Sequence, residues 1–152
     1  MTEESSSDQG TVRLNELAFS FKKSQALSAA LHSDLFSALS SGADTVSSLA
    51  AHCAIPEESA DRLLVACAAM GLVIKDGETY RNAADVERYL VAGKRTFFGD
   101  YLRFSIDTEY DEWSGFPGNL HNTSAEPPPS KLYEGDLEDP ARARAFTQAG
   151  YN

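Results

Sequence analysis

Apolar residues recur every three or four positions along much of the chain, which is the spacing of helices that bury one face. The clearest stretch runs from residue 44 to 81, where two such helices meet at Ile55-Pro56. Two short strand-like runs follow, joined by Asp76-Gly77, a pair that suits a two-residue hairpin turn with positive φ angles. This order predicts a mainly α fold: a winged helix-turn-helix with additional N- and C-terminal helices and a small β-hairpin wing.

Sequence signals mark where the helices of this stretch begin and end. Asp44 or Thr45 can cap the first helix, because a short side-chain oxygen accepts from the free amides of the first turn. Pro56 suits the first position of the second helix, where a missing N–H costs nothing, and Gly71 ends that helix. The buried stripe of the second helix is predicted to consist of Ala60, Leu63, Leu64, Cys67 and Met70.

Before this stretch the pattern predicts a tail and two helices. Residues 1–10 are polar and acidic and have no apolar anchor, so we expect a disordered tail. A long helix from about residue 12 to 31 and a short one from residue 34 to 39 follow. Phe19 and Phe21 in the long helix exceed what one small core can cover, so they are buried either by a partner subunit or by the chain itself.

An aromatic-rich helix is predicted after the wing. Asn82 can cap a first helix that runs to about Leu90, and a second extends from about residue 95 to 113. The second carries aromatic side chains on more than one face. Some of these rings are candidates to line a cavity for a flat organic molecule, since such pockets are mostly apolar. Ordinary packing and a dimer interface are the alternative explanations.

The last part of the chain is predicted to be irregular and then helical. Residues 114–139 are rich in Gly, Pro, Asn and Ser, which is typical of a connector. Asp139-Pro140 then begins a short helix, which would be poorly stable alone and so leads into a further domain. We therefore divide the chain into a tail (1–10), a winged-helix domain (11–113), a connector (114–139) and the start of a linker helix (140–152).

The charge of the chain argues against nucleic acid as a partner. It has 152 residues with 23 acidic and 13 basic side chains, a formal net charge of −10 that repels phosphates and anionic membranes. The second helix of the winged stretch would have to enter a DNA groove. Its exposed side presents Glu57, Glu58 and Asp61 against Arg62 alone. We infer a winged helix that packs against protein.

Other residue classes give little sign of chemistry. No stretch has the features of a membrane span or a secretion leader, so we expect a cytoplasmic protein. Cys53 and Cys67 fall at apolar helical positions without metal-ligand spacing, so we expect buried thiols and no zinc site. His32, His52 and His121 have no paired acid at a recognisable spacing. We therefore expect no catalytic residue, metal site or bound cofactor on this chain.

Three segments in succession carry a family resemblance: ALSAALHSDLFSAL, TVSSLAAHCAIPEESADRLLVACAAMGLVIKDGETYRNA and FFGDYLRF. Each match is loose, but their order and spacing together are moderately specific. They resemble the N-terminal dimerisation domain of S-adenosylmethionine-dependent small-molecule O-methyltransferases of the plant and bacterial natural-product type. The later DPARARAFTQA resembles the segment that precedes the catalytic domain in that family, so the resemblance covers about residues 14–149.

The resemblance implies a role in assembly rather than in chemistry. By it, the chain is the non-catalytic part that dimerises and closes the substrate pocket of such an enzyme, as a fragment or as one subunit of a split enzyme. S-adenosylmethionine would bind elsewhere in the complete enzyme, because no Gly-rich cofactor strand occurs in this sequence. The expected partners are a second copy, a catalytic methyltransferase domain or subunit, and a natural-product-like acceptor molecule.

The resemblance also implies which residues lie at each surface. The dimer interface would include Leu14, Leu17, Phe21 and Leu27. The substrate side would include Phe97, Tyr101, Phe104, Tyr110, Trp113 and Phe146. Two other classes of function stay open at this point. One is a free-standing winged-helix transcriptional regulator that binds DNA or a small effector, and the other is an adaptor that binds another protein.

Overall fold

A computed structural model describes residues 3–120, with side chains for residues 10–110, 113–118 and 120. Over this range the chain is mainly helical, with one two-stranded antiparallel sheet. The predicted fold class, a helical domain with a β-hairpin wing, is confirmed. The elements in chain order are α1 (Glu3–His32), α2 (Leu35–Ser40), α3 (Val46–Cys53), α4 (Glu57–Ala69), β1 (Val73–Asp76), β2 (Thr79–Asn82), α5 (Ala84–Tyr89), α6 (Gly99–Ser114) and α7 (Phe116–Asn119).

The short helix α2 lies at the centre of the core. Leu35 and Phe36 are fully buried there, and α2 packs against α1, α3, α5 and β2. Helices α3 and α4 contribute Leu49 and Leu64, which are also fully buried. A six-residue helix is unstable in isolation, so α2 owes its stability to this packing.

The α3–α4 pair is the predicted helix-turn-helix. Of the two candidate caps, Thr45 is the one used: its hydroxyl accepts from the Ser48 amide at 3.2 Å, and the Ser48 hydroxyl accepts from the Thr45 amide at 3.0 Å. Ala54 ends α3 in the left-handed conformation. Gly71 follows the end of α4 with a φ of +73°, as the sequence predicts.

The wing is a hairpin whose turn differs by one residue from the prediction. Asp76 pairs with Thr79, so the turn residues are Gly77 and Glu78 rather than Asp76 and Gly77. Gly77 has a φ of +61°, which is the requirement of a turn whose first central residue is glycine. The Tyr80 amide donates to the Asp44 carbonyl at 2.7 Å and so ties the wing to the segment before α3.

Helix α1 begins earlier than the sequence pattern suggests. It starts at Glu3, inside the segment of residues 1–10 for which we expected a tail, rather than near Val12. The physical reason is that each residue added to an existing helix forms one more hydrogen bond and requires no new nucleation step. Acidic residues at its beginning also interact favourably with the helix dipole.

The region after α6 also differs from the prediction. The predicted connector begins with a helical turn, α7, directly after α6 ends at Ser114. The rings of Trp113 and Phe116 pack against each other with centroids 5.4 Å apart, a contact that favours the turn. Residues 121–152, which include most of that connector and the predicted last helix, lie outside the described part of the chain.

The prediction that Asn82 caps a helix is wrong. Asn82 is the last residue of β2, and α5 begins at Ala84 without a side-chain cap. The amide nitrogen of the Asn82 side chain donates to the Phe36 carbonyl at 2.8 Å and to the Glu87 carboxylate at 2.7 Å. Asn82 is buried, so its side chain serves to join the wing to α2 and α5.

Glu87 on α5 connects several of these elements. Its carboxylate also accepts from the Ser40 hydroxyl at 2.7 Å and from the Lys94 ammonium at 2.5 Å. The hydrogen bond from Lys94, followed by those from Asn82 and Ser40, lowers the pKa of Glu87 to about 2. The ionised carboxylate therefore holds α2, β2 and the segment after α5 together.

Replacing Glu87 by Gln tests this role. A carboxyl group whose pKa is lowered by folding stabilises the fold above its ordinary pKa, 4.5, and that contribution is lost as the pH falls towards about 2. We expect Glu87→Gln to lower the free energy of unfolding at neutral pH, and the difference from wild type to shrink between pH 4.5 and 2. Urea denaturation at several pH values measures both.

The matched control is Glu58→Gln, which removes a carboxylate from the exposed Arg62–Glu58 pair on α4. Water screens such a pair, so we expect little change in stability. A difference between wild type and Glu87→Gln that stays constant over the acidic range would contradict the proposed role of Glu87.

Candidate functional site

The N-terminal half of α1 extends away from the core. A helix of 30 residues is about 45 Å long. Ser28, Ala30 and Leu31 near its C-terminal end are buried, whereas residues 11–25 are all exposed. This segment therefore presents a long surface that the described part of the chain does not cover.

Two opposite sides of this segment are apolar. Leu14, Leu17 and Phe21 follow helical spacing along one side, which we call the Leu17 face. Val12 and Phe19, seven residues apart, lie on the other side, which we call the Phe19 face. All five are exposed, and Leu17 has 60% of its surface accessible. Apolar patches of this kind on a folded protein mark interaction sites.

A cleft of about 380 Å³ lies between α1 and α6. Its size is within the range of small-molecule pockets. Phe21, Tyr110 and Trp113 all line it, although the resemblance assigns Phe21 to the dimer interface and the other two to the substrate side. The structure thus brings residues from both predicted groups to one place. The described residues that line this α1–α6 cleft are Ser20, Phe21, Ser24, Ser105, Ile106, Glu109, Tyr110 and Trp113.

The remaining residues predicted for the substrate side lie elsewhere. Phe97 is half-buried, and its ring lies so close to Gly99 that any side chain at position 99 would clash with it. Phe97 therefore has a packing role. Tyr101 stacks on Phe98 with ring centroids 4.9 Å apart. Phe104 is half-buried on α6, and Phe146 lies outside the described residues. Among the described residues, Phe97, Tyr101 and Phe104 do not line the α1–α6 cleft.

Leu27 differs from the other predicted interface residues. It is half-buried and packs against the core of its own chain. With Met70 and Leu72 it also lines a second groove, between α1 and the end of α4. Its assignment to a dimer interface stays a prediction.

A polar junction joins α1 to α6 beside the cleft. His32 Nε2 lies 3.1 Å from Asp107 Oδ2, and the Ser28 hydroxyl donates to Asp107 Oδ1 at 3.2 Å. His32 Nδ1 lies 3.0 Å from the Ser28 carbonyl. Sequence reasoning missed this cluster, since Ser28 and Asp107 are 79 positions apart and only the packing of α1 on α6 joins them.

This cluster has the residue types of a hydrolytic triad but not its arrangement. In a triad the serine proton passes to the histidine, and the acid orients that histidine from the other side. Here the Ser28 hydroxyl lies 3.3 Å from His32 Nδ1 but donates to the Asp107 carboxylate instead. His32 Nδ1 also lies 3.0 Å from the Ser28 carbonyl, which is the partner of a ring N–H and not of a base. Ser28 is also buried. The cluster therefore positions two helices and offers no activated nucleophile.

In the described part of the chain, the cysteines are not activated thiols and do not belong to a metal site. Burial raises the pKa of Cys67 to about 11, so its thiol stays protonated at neutral pH. Burial and, to a lesser extent, the charge of Asp34 raise the pKa of Cys53. Cys67 is buried as predicted, whereas Cys53 is half-buried. Over the described range, no three His, Cys, Asp or Glu side chains come together as a metal site would require.

The exposed side of α4 is poorly suited to contact with DNA. Arg62, the basic residue of that side, is paired with Glu58 at 2.6 Å. Glu57 accepts a hydrogen bond from Ser47 at 2.7 Å. The leading turn of α4 thus offers DNA phosphates two carboxylates and a cation that is already paired. Among the described helices, none is both long enough and apolar enough to cross a lipid bilayer.

The sequence model of one protein family matches this part of the chain. It describes the O-methyltransferase dimerisation domain and matches residues 15–92, just over half of the 152 residues. The chain belongs to this family. The matched range contains the exposed side chains of Leu17, Phe19 and Phe21 as well as the complete helix-turn-helix and wing.

Several similar proteins are methyltransferases of Streptomyces species. The chain is 38% identical over 90 residues to the 3-hydroxy-5-methyl-1-naphthoate 3-O-methyltransferase of Streptomyces sahachiroi, covering 59% of this chain and 26% of that enzyme. It is 30% identical over 135 residues to the tetracenomycin polyketide synthesis 8-O-methyl transferase TcmO of Streptomyces glaucescens, covering 88% of this chain and 40% of that enzyme. The chain thus spans less than half the length of these relatives.

Solved structures show the same fold. An O-methyltransferase family protein from Burkholderia thailandensis is 31% identical with a TM-score of 0.69, over 91% of this chain and 41% of that one. Human N-acetylserotonin methyltransferase, solved in complex with SAM, has a TM-score of 0.78 at 23% identity, over 93% of this chain and 44% of that one. The predicted membership of the O-methyltransferase dimerisation-domain family is confirmed.

The α1–α6 junction can be tested with Asp107→Ala. The change removes the acceptor for both Ser28 and His32, and leaves the buried Ser28 hydroxyl without that partner. Because the His32 and Asp107 side chains are about half exposed, we expect a loss of about 1 kcal/mol of unfolding free energy. Urea denaturation followed by circular dichroism measures this loss.

The control for this change is Asp61→Ala on α4, which removes an exposed carboxylate. We expect that change to alter stability by less than about 0.5 kcal/mol. Equal effects of the two substitutions would show that the junction does not hold α6 against α1.

Proposed function

We propose that this chain is the dimerisation part of an S-adenosylmethionine-dependent methyltransferase that acts on a natural-product-like small molecule. The observation that carries the proposal is the match of residues 15–92 to the O-methyltransferase dimerisation domain. The methyltransferase activity would belong to a cofactor-binding catalytic domain, on the same chain or on a separate subunit. The role of the described residues is to bring two such units together and to cover part of the acceptor site.

The exposed half of α1 supports the proposed dimer. The Leu17 face and the Phe19 face lie on opposite sides of the helix, so a single flat partner surface would cover only one of them. An arrangement in which α1 inserts between elements of a second copy covers both. Burial of each large apolar side chain contributes about 1.5–3 kcal/mol, so five such residues supply a substantial part of an association energy.

The cofactor is not expected to bind to the described residues. Dinucleotides and related cofactors bind where a Gly-rich turn joins a parallel strand to a helix. The sheet of the described part of the chain is an antiparallel hairpin whose ends meet a turn and α5, so it offers no such turn. The methyl transfer would therefore take place in the catalytic domain, and this chain would contribute contacts to the acceptor.

The α1–α6 cleft is the surface that we assign to the acceptor side. Of the residues predicted there, Tyr110 and Trp113 line the cleft together with Phe21. Aromatic side chains on the edge of a pocket suit flat molecules. Two relatives carry names with a naphthoate and a polyketide, which agrees with a flat acceptor. The same helix, α1, would then take part in both assembly and acceptor binding.

The dimer is tested with the double variant Leu14→Glu, Leu17→Glu. These residues are exposed on the Leu17 face, so the isolated fold tolerates charge there, whereas an interface would bury two carboxylates without partners. We expect wild type to sediment as a dimer at micromolar concentration and the variant to sediment as a monomer. Circular dichroism should show the same helix content for both.

The control is Val65→Glu, a change at an exposed residue on the acidic side of α4, with 55% of its surface accessible. It introduces the same chemical group outside the proposed interface, and it should leave the dimer intact. A wild-type chain that is monomeric at micromolar concentration would overturn the proposed dimer.

A further inference from the structure

Among the residues that the structure describes, the lining of the α1–α6 cleft contains one charged side chain, the carboxylate of Glu109. The serines of the lining are neutral, and the other residues are aromatic or aliphatic. We propose that the cleft binds an aromatic ligand through a protonated amine, with Glu109 as the group that holds the ammonium. This inference rests on the proposed function, since it names the chemical class of the molecule on the acceptor side.

Glu109 is unpaired within the described part of the chain. Its side chain is half-buried and makes no hydrogen bond or ion pair with another side chain of residues 10–110. Two cations of α1 and α6 are engaged with other groups: Lys22 lies over the Phe19 ring at 4.3 Å, and Arg103 pairs with Asp100 at 3.6 Å and donates to the Leu31 carbonyl at 3.3 Å. A partly buried carboxylate without a partner favours a ligand that brings a positive charge.

The aromatic residues of the cleft favour the same charge. Phe21, Tyr110 and Trp113 line the cleft with Glu109. The faces of aromatic rings carry partial negative charge and attract ammonium groups. The same rings provide apolar surface for a flat ring system. Rings and carboxylate together are the chemistry that recognises an aromatic amine.

Two hydrogen-bonding groups of the lining, the Ser20 hydroxyl and the Glu109 carboxylate, fit a ligand that donates. The Ser20 hydroxyl donates to the Leu17 carbonyl at 2.9 Å, so that it has only acceptor capacity left for a ligand. A carboxylate is likewise only an acceptor. An anionic ligand would meet these acceptors and a chain with a net charge of −10, so we expect it to bind more weakly than a cation.

Trp113, the single tryptophan of the chain, is a built-in probe of the cleft. Its emission can be followed while the wild-type protein is titrated with 2-phenylethylamine, 2-phenylethanol and phenylacetate, which share one ring and differ in charge. We expect the amine to bind at least about ten-fold more tightly than phenylacetate, with the alcohol between them. Glu109→Gln should remove the preference for the amine and leave binding of the alcohol unchanged.

The matched control is Glu78→Gln in the turn of the wing, which removes one negative charge away from the cleft lining and should keep the preference. Equal binding of the amine and phenylacetate, or an unchanged preference in Glu109→Gln, would overturn the inference, and so would the absence of binding by all three probes. Sedimentation of the same samples distinguishes failure of this inference from failure of the proposed function. A protein that dimerises but shows no preference for the amine would overturn only the inference.

Discussion

A core of this size cannot cover a helix of 30 residues, and most features of the molecule follow from that mismatch. The short helix α2 gathers the buried residues around Phe36, and α1 reaches this core only with its last turns. The N-terminal part of α1 carries exposed apolar residues on opposite sides. A family whose name is dimerisation domain is consistent with such a helix, because the described part of the chain leaves it uncovered.

The winged helix-turn-helix of this protein is tied into the rest of the fold. Its wing is held by Asn82 and Glu87, whose side chains bridge β2, α2 and α5. The side of α4 that would face a DNA groove is acidic, and Arg62 is paired within its own helix. A winged helix alone does not determine function, and these surface charges do not suit contact with phosphates.

Local patterns predicted the parts of the fold that depend on neighbours in sequence. Thr45 as a cap, Gly71 as a helix end and the apolar stripe of α4 follow from the spacing of residue types. The prediction that Asn82 caps a helix was wrong because its side chain instead forms a buried bridge to the Phe36 carbonyl and the Glu87 carboxylate. The Ser28–His32–Asp107 junction could not be predicted, since its members meet only when α6 packs on α1. Glu109 was not predicted as a site residue, because an acidic residue on a helix gives no signal until the residues packed around it are known.

The two apolar sides of α1 affect the protein before it reaches its final assembly. In the proposed dimer a second copy covers Leu17, Phe19 and their neighbours. A newly made chain would expose them before pairing, so that self-association in the wrong register would compete with correct pairing. Helix α1 precedes the elements that support it and is therefore synthesised before them. We expect production at low temperature to favour soluble material over inclusion bodies.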